Sequence, residues 1–262
     1  MRRVHLSAGP GHDLGPASPD LGLALEQLAD EGRPAEALPG LLRQVEELAP
    51  ATGAVEAILE AEPAPAALAK IATAAGYELT RTTLQLRRSL PLAPEVVARS
   101  LGAGPGPGAS GMRSFRPGHD EGGWVRVNNR AFAWHPDQSG WTVEDLERKE
   151  AEPWFRADGF VVHESAGEPG PPTLDGFCWT KIHADTHPPL GEIFVIGVDP
   201  DAHGHGLGRA LVVAGLDWLA GQGLADAMLY VEADNAAAVG LYRDLGFTEH
   251  QARRWWRRVL TP

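Results

Sequence analysis

One stretch decides the fold of this chain: Gly191-Glu-Ile-Phe-Val-Ile-Gly-Val-Asp-Pro-Asp-Ala-His-Gly-His-Gly-Leu-Gly-Arg-Ala-Leu211. Its apolar first part predicts a buried strand over 192–198, and its second part predicts a helix from about Gly206 to Ala220. A glycine-rich turn joins the two. Backbone N–H groups converge in such a turn, at the positive end of the helix dipole, and this arrangement suits a pyrophosphate.

The composition of the turn supports this interpretation. Gly206 and Gly208 are expected to matter because a side chain at either position would block the approach of phosphate oxygens. Arg209 adds a positive charge that can pair with phosphate. The turn alone is weak support, since an ordinary strand-to-helix connection has a similar composition.

A second motif follows the next predicted strand, Ala227 to Val231. It reads Asn235-Ala-Ala-Ala-Val-Gly-Leu-Tyr-Arg-Asp-Leu-Gly-Phe247. A helix over this segment places Asn235, Val239 and Tyr242 on successive turns of one face. We expect it to bring the tyrosine hydroxyl towards the start of the first helix.

Both motifs resemble those of the GNAT acetyltransferases. The family's pyrophosphate motif, Gln or Arg followed by x-x-Gly-x-Gly, corresponds to His203–Gly208, and its Asn-x-x-Ala-x-x-Leu-Tyr-x-x-x-Gly-Phe motif corresponds to Asn235–Phe247. His203 departs from the usual Gln or Arg. The resemblance implies an α/β (α+β) GNAT acyl-CoA N-acyltransferase fold, with a mixed central sheet flanked by helices. It also implies acetyl-CoA as cosubstrate and no metal.

The resemblance places acetyl-CoA against the end of the central strand, the turn and the start of the second helix. The corresponding residues are Ile196, Gly197, Val198, His203, Gly204, His205, Gly206, Leu207, Gly208, Arg209, Asn235, Ala236, Ala237, Ala238, Val239 and Gly240. A distortion of the strand near Ile196 to Val198, at Gly197, would free a backbone N–H to stabilise the thioester oxygen.

Upstream segments carry a narrower resemblance. Val127-Asn-Asn-Arg-Ala-Phe-Ala, Gly176-Phe-Cys-Trp-Thr-Lys-Ile-His and Tyr230-Val-Glu-Ala-Asp-Asn are similar to the mycothiol synthase family, whose members are tandem GNAT proteins. The similarity runs through 112–260 and, more faintly, through 21–90. It implies transfer of an acetyl group from acetyl-CoA to the cysteinyl amine of cysteinyl-glucosaminyl-inositol, a small-molecule acceptor.

This chemistry sets the expected roles of individual residues. An α-amine with a pKa of about 7.7–8.0 is largely protonated near neutral pH, so a base must deprotonate it. Glu192 is the predicted base and Tyr242 the predicted acid for the CoA thiolate, although a surface carboxylate and a core tyrosine are the plainer alternatives. The predicted acceptor-binding residues are Asp137, Lys181, Glu192 and Tyr230. Asp137 stands where the family is expected to have glutamate, and Lys181 has the alternative of a solvated strand residue.

The chain is predicted to have two domains. Residues 91–111 read as a Gly/Pro-rich linker, with Leu-Gly-Ala-Gly-Pro-Gly-Pro-Gly at 101–108. Residues 112–262 are the predicted catalytic GNAT domain. Residues 1–90 are predicted to form a partial or degenerate GNAT-like domain.

Composition narrows the class of protein. A formal net charge of -12 argues against nucleic acid or an anionic membrane surface as partner. Neither a membrane-spanning segment nor a secretory signal is predicted, so we expect a cytoplasmic protein. We expect a monomer, and an oligomer stays an open alternative. The 10 histidines suggest a metal site as an alternative, but no acidic or Cys ligand completes a standard metal-ligand spacing, and none is predicted. The lone Cys178 is expected to be a structural thiol.

Two other functions stay open from the sequence. One is a GNAT activity on another amine, such as a peptide N-terminus or another small molecule, because the acetyl-CoA motifs are shared by all such enzymes. The other is a non-catalytic acyl-CoA-binding homologue, suggested by the eroded amino-terminal half.

Overall fold

The structure is a computed structural model that describes residues 3–8, 40, 42, 56–64, 66–101, 111–134, 138–165 and 173–260. Contacts divide the chain into two compact units, one of 1–86 with 231–262 and the other of 87–230. In chain order the elements are β1 (Arg3–Ala8), β2 (Glu56–Ala61), α1 (Ala66–Ala74), β3 (Glu78–Ser89), α2 (Pro94–Leu101), β4 (Met112–Ser114), α3 (Glu121–Ala131), α4 (Val143–Glu150), β5 (Phe160–Glu164), β6 (Leu174–His183), β7 (Leu190–Val198), α5 (Leu207–Gly221), β8 (Asp226–Glu232), α6 (Ala236–Asp244) and β9 (Thr248–Val259). Short 3-10 turns occur at Ala157–Gly159 and Pro200–Ala202.

The first unit is built on strands in the order β1-β2-β9-β3. β2 is parallel to β1 and antiparallel to β9. One face carries a core that includes Leu59, Leu68, Tyr77 and Trp256. Strand side chains alternate between faces, so the neighbours of Trp256 along β9 point the other way.

That other face of the first unit is charged. Arg253 pairs with Glu60, and Arg257 lies 3.4 Å from Glu56. The guanidinium groups of Arg81 and Arg253 lie 4.6 and 4.9 Å from the ring centroid of Trp255. The arginine side chains on this face are therefore held by ion pairs, by cation–π contacts or by both.

The second unit is built on strands in the order β4-β5-β6-β7-β8. Neighbours are antiparallel from β4 to β7, while β7 and β8 are parallel. A parallel pair needs a crossover, and α5 provides it. Its core is largely aromatic, and Trp179 stacks on Phe160 at 4.5 Å between ring centroids. Helices on a mixed sheet agree with the predicted α/β class.

The predicted domain limits differ from the structure in two respects. Part of the predicted linker, Pro94–Leu101, is the helix α2. Proline at the first helical position and Glu95 in the first turn favour this helix. The division by contacts also assigns 231–262 to the first unit, because β9 pairs with β2. Residues 102–110 lie outside the described residues.

Within the described part of the chain, none of the helices has the length and apolar character required to cross a bilayer. The same residues contain no group of three or more His, Cys, Asp or Glu side chains placed to hold a metal ion.

Cys178 lies against the helix that covers the second unit's sheet. Its side chain is fully buried, and burial raises the pKa of the thiol. A Cβ atom added at Gly215 of α5 would lie 2.6 Å from the Cys178 Sγ and 2.9 Å from the Ile193 Cδ1. The close approach of α5 to the sheet therefore depends on glycine at position 215.

Gly215→Ala should destabilise the protein relative to Gly221→Ala, its control in the same helix, where an added Cβ meets nothing within 4 Å. Both changes gain about 1 kcal/mol of helix propensity, but only the first overpacks the core, at a cost of about 1–3 kcal/mol. Urea unfolding measures the difference. Equal midpoints for the two variants would contradict the described packing.

A second stability prediction concerns carboxylates between α3 and α4. Burial, followed by the negative charges of Glu121 and Glu147, raises the pKa of Glu150 from its ordinary 4.5 to about 7. Its Oε1 is buried and accepts no hydrogen bond from the described residues. Since this pKa is higher in the folded protein, the contribution of Glu150 to stability is fully present below about 4.5 and is lost as the pH rises through about 7.

Glu150→Gln should therefore raise the unfolding temperature at pH 8 and change it little at pH 4.5. Glu144→Gln, on an exposed glutamate of the same helix, should show no such gain at pH 8. Thermal unfolding at both pH values tests this. A gain of the same size at both would remove ionisation of Glu150 as its cause.

Candidate active site

Glu192 lies in the part of β7 that is paired on both sides. It is opposite Lys181 of β6 and in register with Met228 of β8, and it is 7% exposed. Register partners project to the same face of a sheet, and Tyr230 follows Met228 by two residues. The structure thus brings Glu192, Lys181 and Tyr230 to one face of the second unit. Asp137, the fourth predicted acceptor contact, lies outside the described residues.

Glu192 also has a partner that the sequence did not reveal. The Nε2 atom of His183 lies 2.7 Å from its Oε2 atom. His183 follows Lys181 by two residues on β6, so both side chains belong to the same face. Sequence reasoning placed His183 in a family segment and among the histidines of a possible metal site, but did not connect it with Glu192. The alternation of Lys181 and His183 along a strand was the available signal, but the opposing strand was needed to show their neighbour.

The ammonium group of Lys181 lies among aromatic rings. Its Nζ atom is 4.8 Å from the ring centroid of Trp154 and 5.6 Å from that of Phe194. Both are cation–π distances. Trp154 and Phe194 contact each other and Trp179. The face that holds Glu192 thus combines a buried carboxylate, a cation and a flat apolar wall.

The distortion of β7 lies at Phe194, which corrects the predicted position near Ile196 to Val198. The register with β6 shifts between Trp179 and Thr180, so Phe194 has no partner of its own on β6. Gly197 is paired regularly with Phe177, and a Cβ there would lie 2.7 Å from the Phe177 ring. Gly197 is therefore required for close packing.

From Phe194 onwards β7 is one-sided, which means that regular pairing is described only with β6. Among the described residues of the second unit, its pairing with β8 ends at Ile193, while the pairing with β6 continues to Val198. Backbone groups of Phe194–Val198 that face away from β6 therefore leave the regular ladder. The predicted thioester contact requires an N–H of this kind.

Two glycines of the turn adopt the left-handed backbone conformation. Gly204 and Gly206 have φ angles of 84° and 81°, which favour glycine, and residues 203–206 are exposed. His203 directs its Nε2 to the carbonyl oxygen of Val198 at 3.0 Å. At Gly208 an added Cβ would meet only Val198, at 3.7 Å. The requirement for glycine is thus conformational and applies to 206 more than to 208.

α5 begins directly after this turn, with Leu207, Gly208 and Arg209 in its first turn and Gly206 as N-cap. Within the described residues around the turn, no side chain caps the helix. The first N–H groups of a helix have no partner inside it, so these groups are oriented to receive an external acceptor. An anion fits this position best.

An ionic network around the buried Asp199 fixes the chain just before the turn. Asp199 is 4% exposed and lies 3.0 Å from Arg126 and 2.9 Å from Arg130, both on α3. Burial alone would raise the pKa of Asp199, but hydrogen bonds from the Asp201 N–H and from Arg130 outweigh it, and the pKa is lowered. The sequence had no local signal for this network, because α3 and the turn are about 70 residues apart.

The second motif lies on α6 in the first unit. Asn235 is its N-cap, and its side chain accepts a hydrogen bond from the Ala238 N–H at 3.2 Å. Ala236, Ala237 and Gly240 are exposed, whereas Val239 is buried. Tyr242 is 6% exposed, with its ring centroid 5.8 Å from that of Phe247.

Comparison with solved structures shows the fold. A GCN5-related N-acetyltransferase from Sphaerobacter thermophilus matches with a TM-score of 0.59 at 19% identity, covering 91% of this chain and 70% of that one. A tandem GNAT protein from the clavulanic acid biosynthesis pathway matches with a TM-score of 0.54 at 16% identity, covering 85% and 70%. The predicted fold class is thereby confirmed.

Sequence comparison agrees. Residues 128–247 match the acetyltransferase (GNAT) family. The mycothiol acetyltransferase of Thermobispora bispora is 46% identical over 188 residues, which are 71% of this chain and 60% of that protein. Its counterpart from Thermomonospora curvata is 42% identical over 247 residues, which are 93% of this chain and 76% of that protein.

This chain spans only 60% of the Thermobispora bispora relative and 56% of a similar mycothiol acetyltransferase from Acidimicrobium ferrooxidans. The predicted resemblance is nevertheless confirmed over nearly the whole chain by the Thermomonospora curvata protein. The chain belongs to the mycothiol acetyltransferase family of GNAT proteins.

Proposed function

We propose that this protein is an acetyl-CoA-dependent N-acetyltransferase that acetylates the cysteinyl amine of cysteinyl-glucosaminyl-inositol to give mycothiol. The observation that carries the proposal is the course of β7. This strand holds the buried Glu192 and then runs into an exposed turn, where the first N–H groups of α5 have no side-chain cap. A base and an anion site at the two ends of one strand are what acyl transfer from a CoA thioester to an amine requires.

The turn is the proposed site of the CoA pyrophosphate. Its glycines leave open space where side chains would stand, since a Cβ at Gly204 or Gly206 would meet nothing within 4 Å. The N–H groups of the first turn of α5, together with Arg209, supply the positive side of the interaction. The one-sided end of β7, at Ile196–Val198, is the proposed neighbour of the thioester.

Glu192 is the proposed general base. The amine of the acceptor loses a proton to the carboxylate, and its nitrogen then attacks the acetyl carbonyl. An N–H of the one-sided β7 segment stabilises the negative charge that forms on the thioester oxygen. The C–S bond then breaks, the nitrogen loses its second proton to solvent as the amide forms, and the CoA thiolate takes up a proton. Tyr242 as the donor of that proton stays a prediction from the family motif.

The proposed acceptor contacts are Lys181, Tyr230 and Glu192, with Asp137 retained from the sequence alone. A polyhydroxylated sugar is held by several groups that donate and accept hydrogen bonds, and this face offers an ammonium, a phenol and a carboxylate. The aromatic wall of Trp154 and Phe194 suits the apolar faces of a sugar ring. The acceptor class named by the family therefore agrees with the chemistry of the site.

Acetyl transfer to competing amines tests the function directly. The protein is incubated with acetyl-CoA and either the cysteinyl pseudodisaccharide or peptide amines, and release of CoA thiol is followed. We expect turnover with the pseudodisaccharide and little with peptides. Turnover of peptides alone would contradict the proposed acceptor and indicate a peptide N-acetyltransferase. If calorimetry detected no acetyl-CoA binding and no transfer occurred, the protein would be a non-catalytic homologue.

Gly206→Val should weaken acetyl-CoA binding by roughly tenfold or more, because a β-branched residue resists a φ of 81° and the turn must rearrange. Gly223→Val is the matched control. Gly223 also has a φ of 81° and open space, but it follows the opposite end of α5. Calorimetry should show normal affinity for the control. Equal losses of affinity would mean that general destabilisation causes both.

Glu192→Gln should lower kcat/KM by about 10²–10⁴-fold, as expected for loss of a general base. The loss should be largest at low pH, where the amine is mostly protonated, and should shrink as the pH rises above the amine pKa of about 8. Glu249→Gln, on an exposed glutamate of β9, serves as the control. Full activity of the Glu192 variant across the pH range would withdraw Glu192 as the base.

A further inference from the structure

Glu192 has a hydrogen-bond partner that the reaction described above does not use. The Nε2 atom of His183 lies 2.7 Å from the Oε2 atom of Glu192, across neighbouring strands of the second unit. We infer that His183 is a positioning residue for Glu192, which holds one carboxylate oxygen and leaves the other to accept the proton of the amine. This inference rests on the proposed function.

The chemistry of the two groups fixes the direction of this hydrogen bond. An ionised carboxylate has only acceptor sites, so a base-competent Glu192 requires His183 to donate from Nε2. A neutral imidazole has one N–H, and its Nδ1 is then bare. The contact therefore selects one tautomer of His183 and restricts the rotation of the carboxylate. A fixed carboxylate is what efficient proton abstraction requires.

Burial shows which member of the pair meets solvent. The side chain of Glu192 is 9% exposed and that of His183 is 22% exposed. Among the described residues of β6 and β8, Lys181 lies opposite Glu192, and Tyr230 lies on the same face. Lys181 lies over Trp154 and Phe194 at cation–π distances. His183 is thus the more exposed member of the pair.

This arrangement has a consequence for pH dependence. A neutral His183 orients the carboxylate without adding charge. A protonated His183 is a cation in contact with the carboxylate, and it favours the ionised form of Glu192, which makes Glu192 a weaker base. Protonation of His183 should therefore lower activity at acidic pH beyond the effect of protonating the amine.

Two variants separate orientation from packing. His183→Gln keeps an N–H donor near the position of Nε2 but cannot become a cation, whereas His183→Leu removes the donor. The profile of kcat/KM from pH 5.5 to 9.5 is measured for both with acetyl-CoA and the best acceptor. Affinity for acetyl-CoA, measured by calorimetry, shows whether the fold and the turn are intact.

At pH 8, His183→Leu should lower kcat/KM by on the order of ten- to a hundredfold, as for loss of a hydrogen bond to a charged group. His183→Gln should retain most of the activity and should lose less than the wild type as the pH falls. Acetyl-CoA affinity should be unchanged in both. A fully active Leu variant, or equal impairment of both variants with wild-type pH dependence, would overturn the inference.

The ring nitrogens give a readout that does not need turnover. Their ¹⁵N chemical shifts, assigned by the signals that disappear in His183→Gln, report which nitrogen carries the proton at pH 8. We expect Nε2–H in the wild type. Finding the proton on Nδ1 would overturn the inference even in an active enzyme. A protein with the expected tautomer but no transfer to any amine would instead refute the proposed function.

Discussion

The site depends on the unequal pairing of β7. At Gly191–Ile193 the strand is paired with both neighbours, and the carboxylate of Glu192 lies in that part. Where only β6 continues, at Phe194–Val198, backbone groups leave the ladder. A continuous parallel pairing would occupy these groups and fill the place proposed for the thioester. The bulge at Phe194 marks the change between the two regimes, and bulges commonly redirect backbone near functional sites.

Electrostatic contacts then fix the strand's end. Asp199 stands between β7 and the turn, and two arginines of α3 hold it from the other side. The protein as a whole carries a net charge of -12, which repels an anionic cosubstrate. The local helix dipole and backbone N–H groups must therefore supply the attraction over a short range. Such an interaction depends on the geometry of the turn more than on overall charge.

Local signals in the sequence predicted the local parts of this arrangement. The glycine turn, the helix that follows Asn235 and the strand that carries Glu192 all follow from residues close together in the sequence. The motifs also identified the family, and with it the fold. The helix inside the predicted linker was missed because the glycines and prolines after Leu101 dominated the composition of the whole segment.

Features set by distant residues were out of reach. The partner of Glu192 depends on the register of β6 against β7, and the partners of Asp199 lie about 70 residues earlier. The distortion of β7 lies at Phe194 and not near Gly197 as predicted. Glycine is required at 197 for another reason, since a side chain there would collide with Phe177. The register of two strands and the packing of distant side chains cannot be inferred from a single sequence.

The pairing of β2 with β9 has a consequence for biosynthesis. Arg253 and Glu60, which join these strands, are 193 residues apart in the chain. At about 5–20 residues per second, a ribosome adds the later strand roughly 10–40 s after the earlier one. During that interval the edge of β2 that pairs with β9 is unpaired, and the glutamates of β2 lack their arginine partners. Newly made chains therefore pass through a period in which association with other nascent chains competes with completion of the first unit.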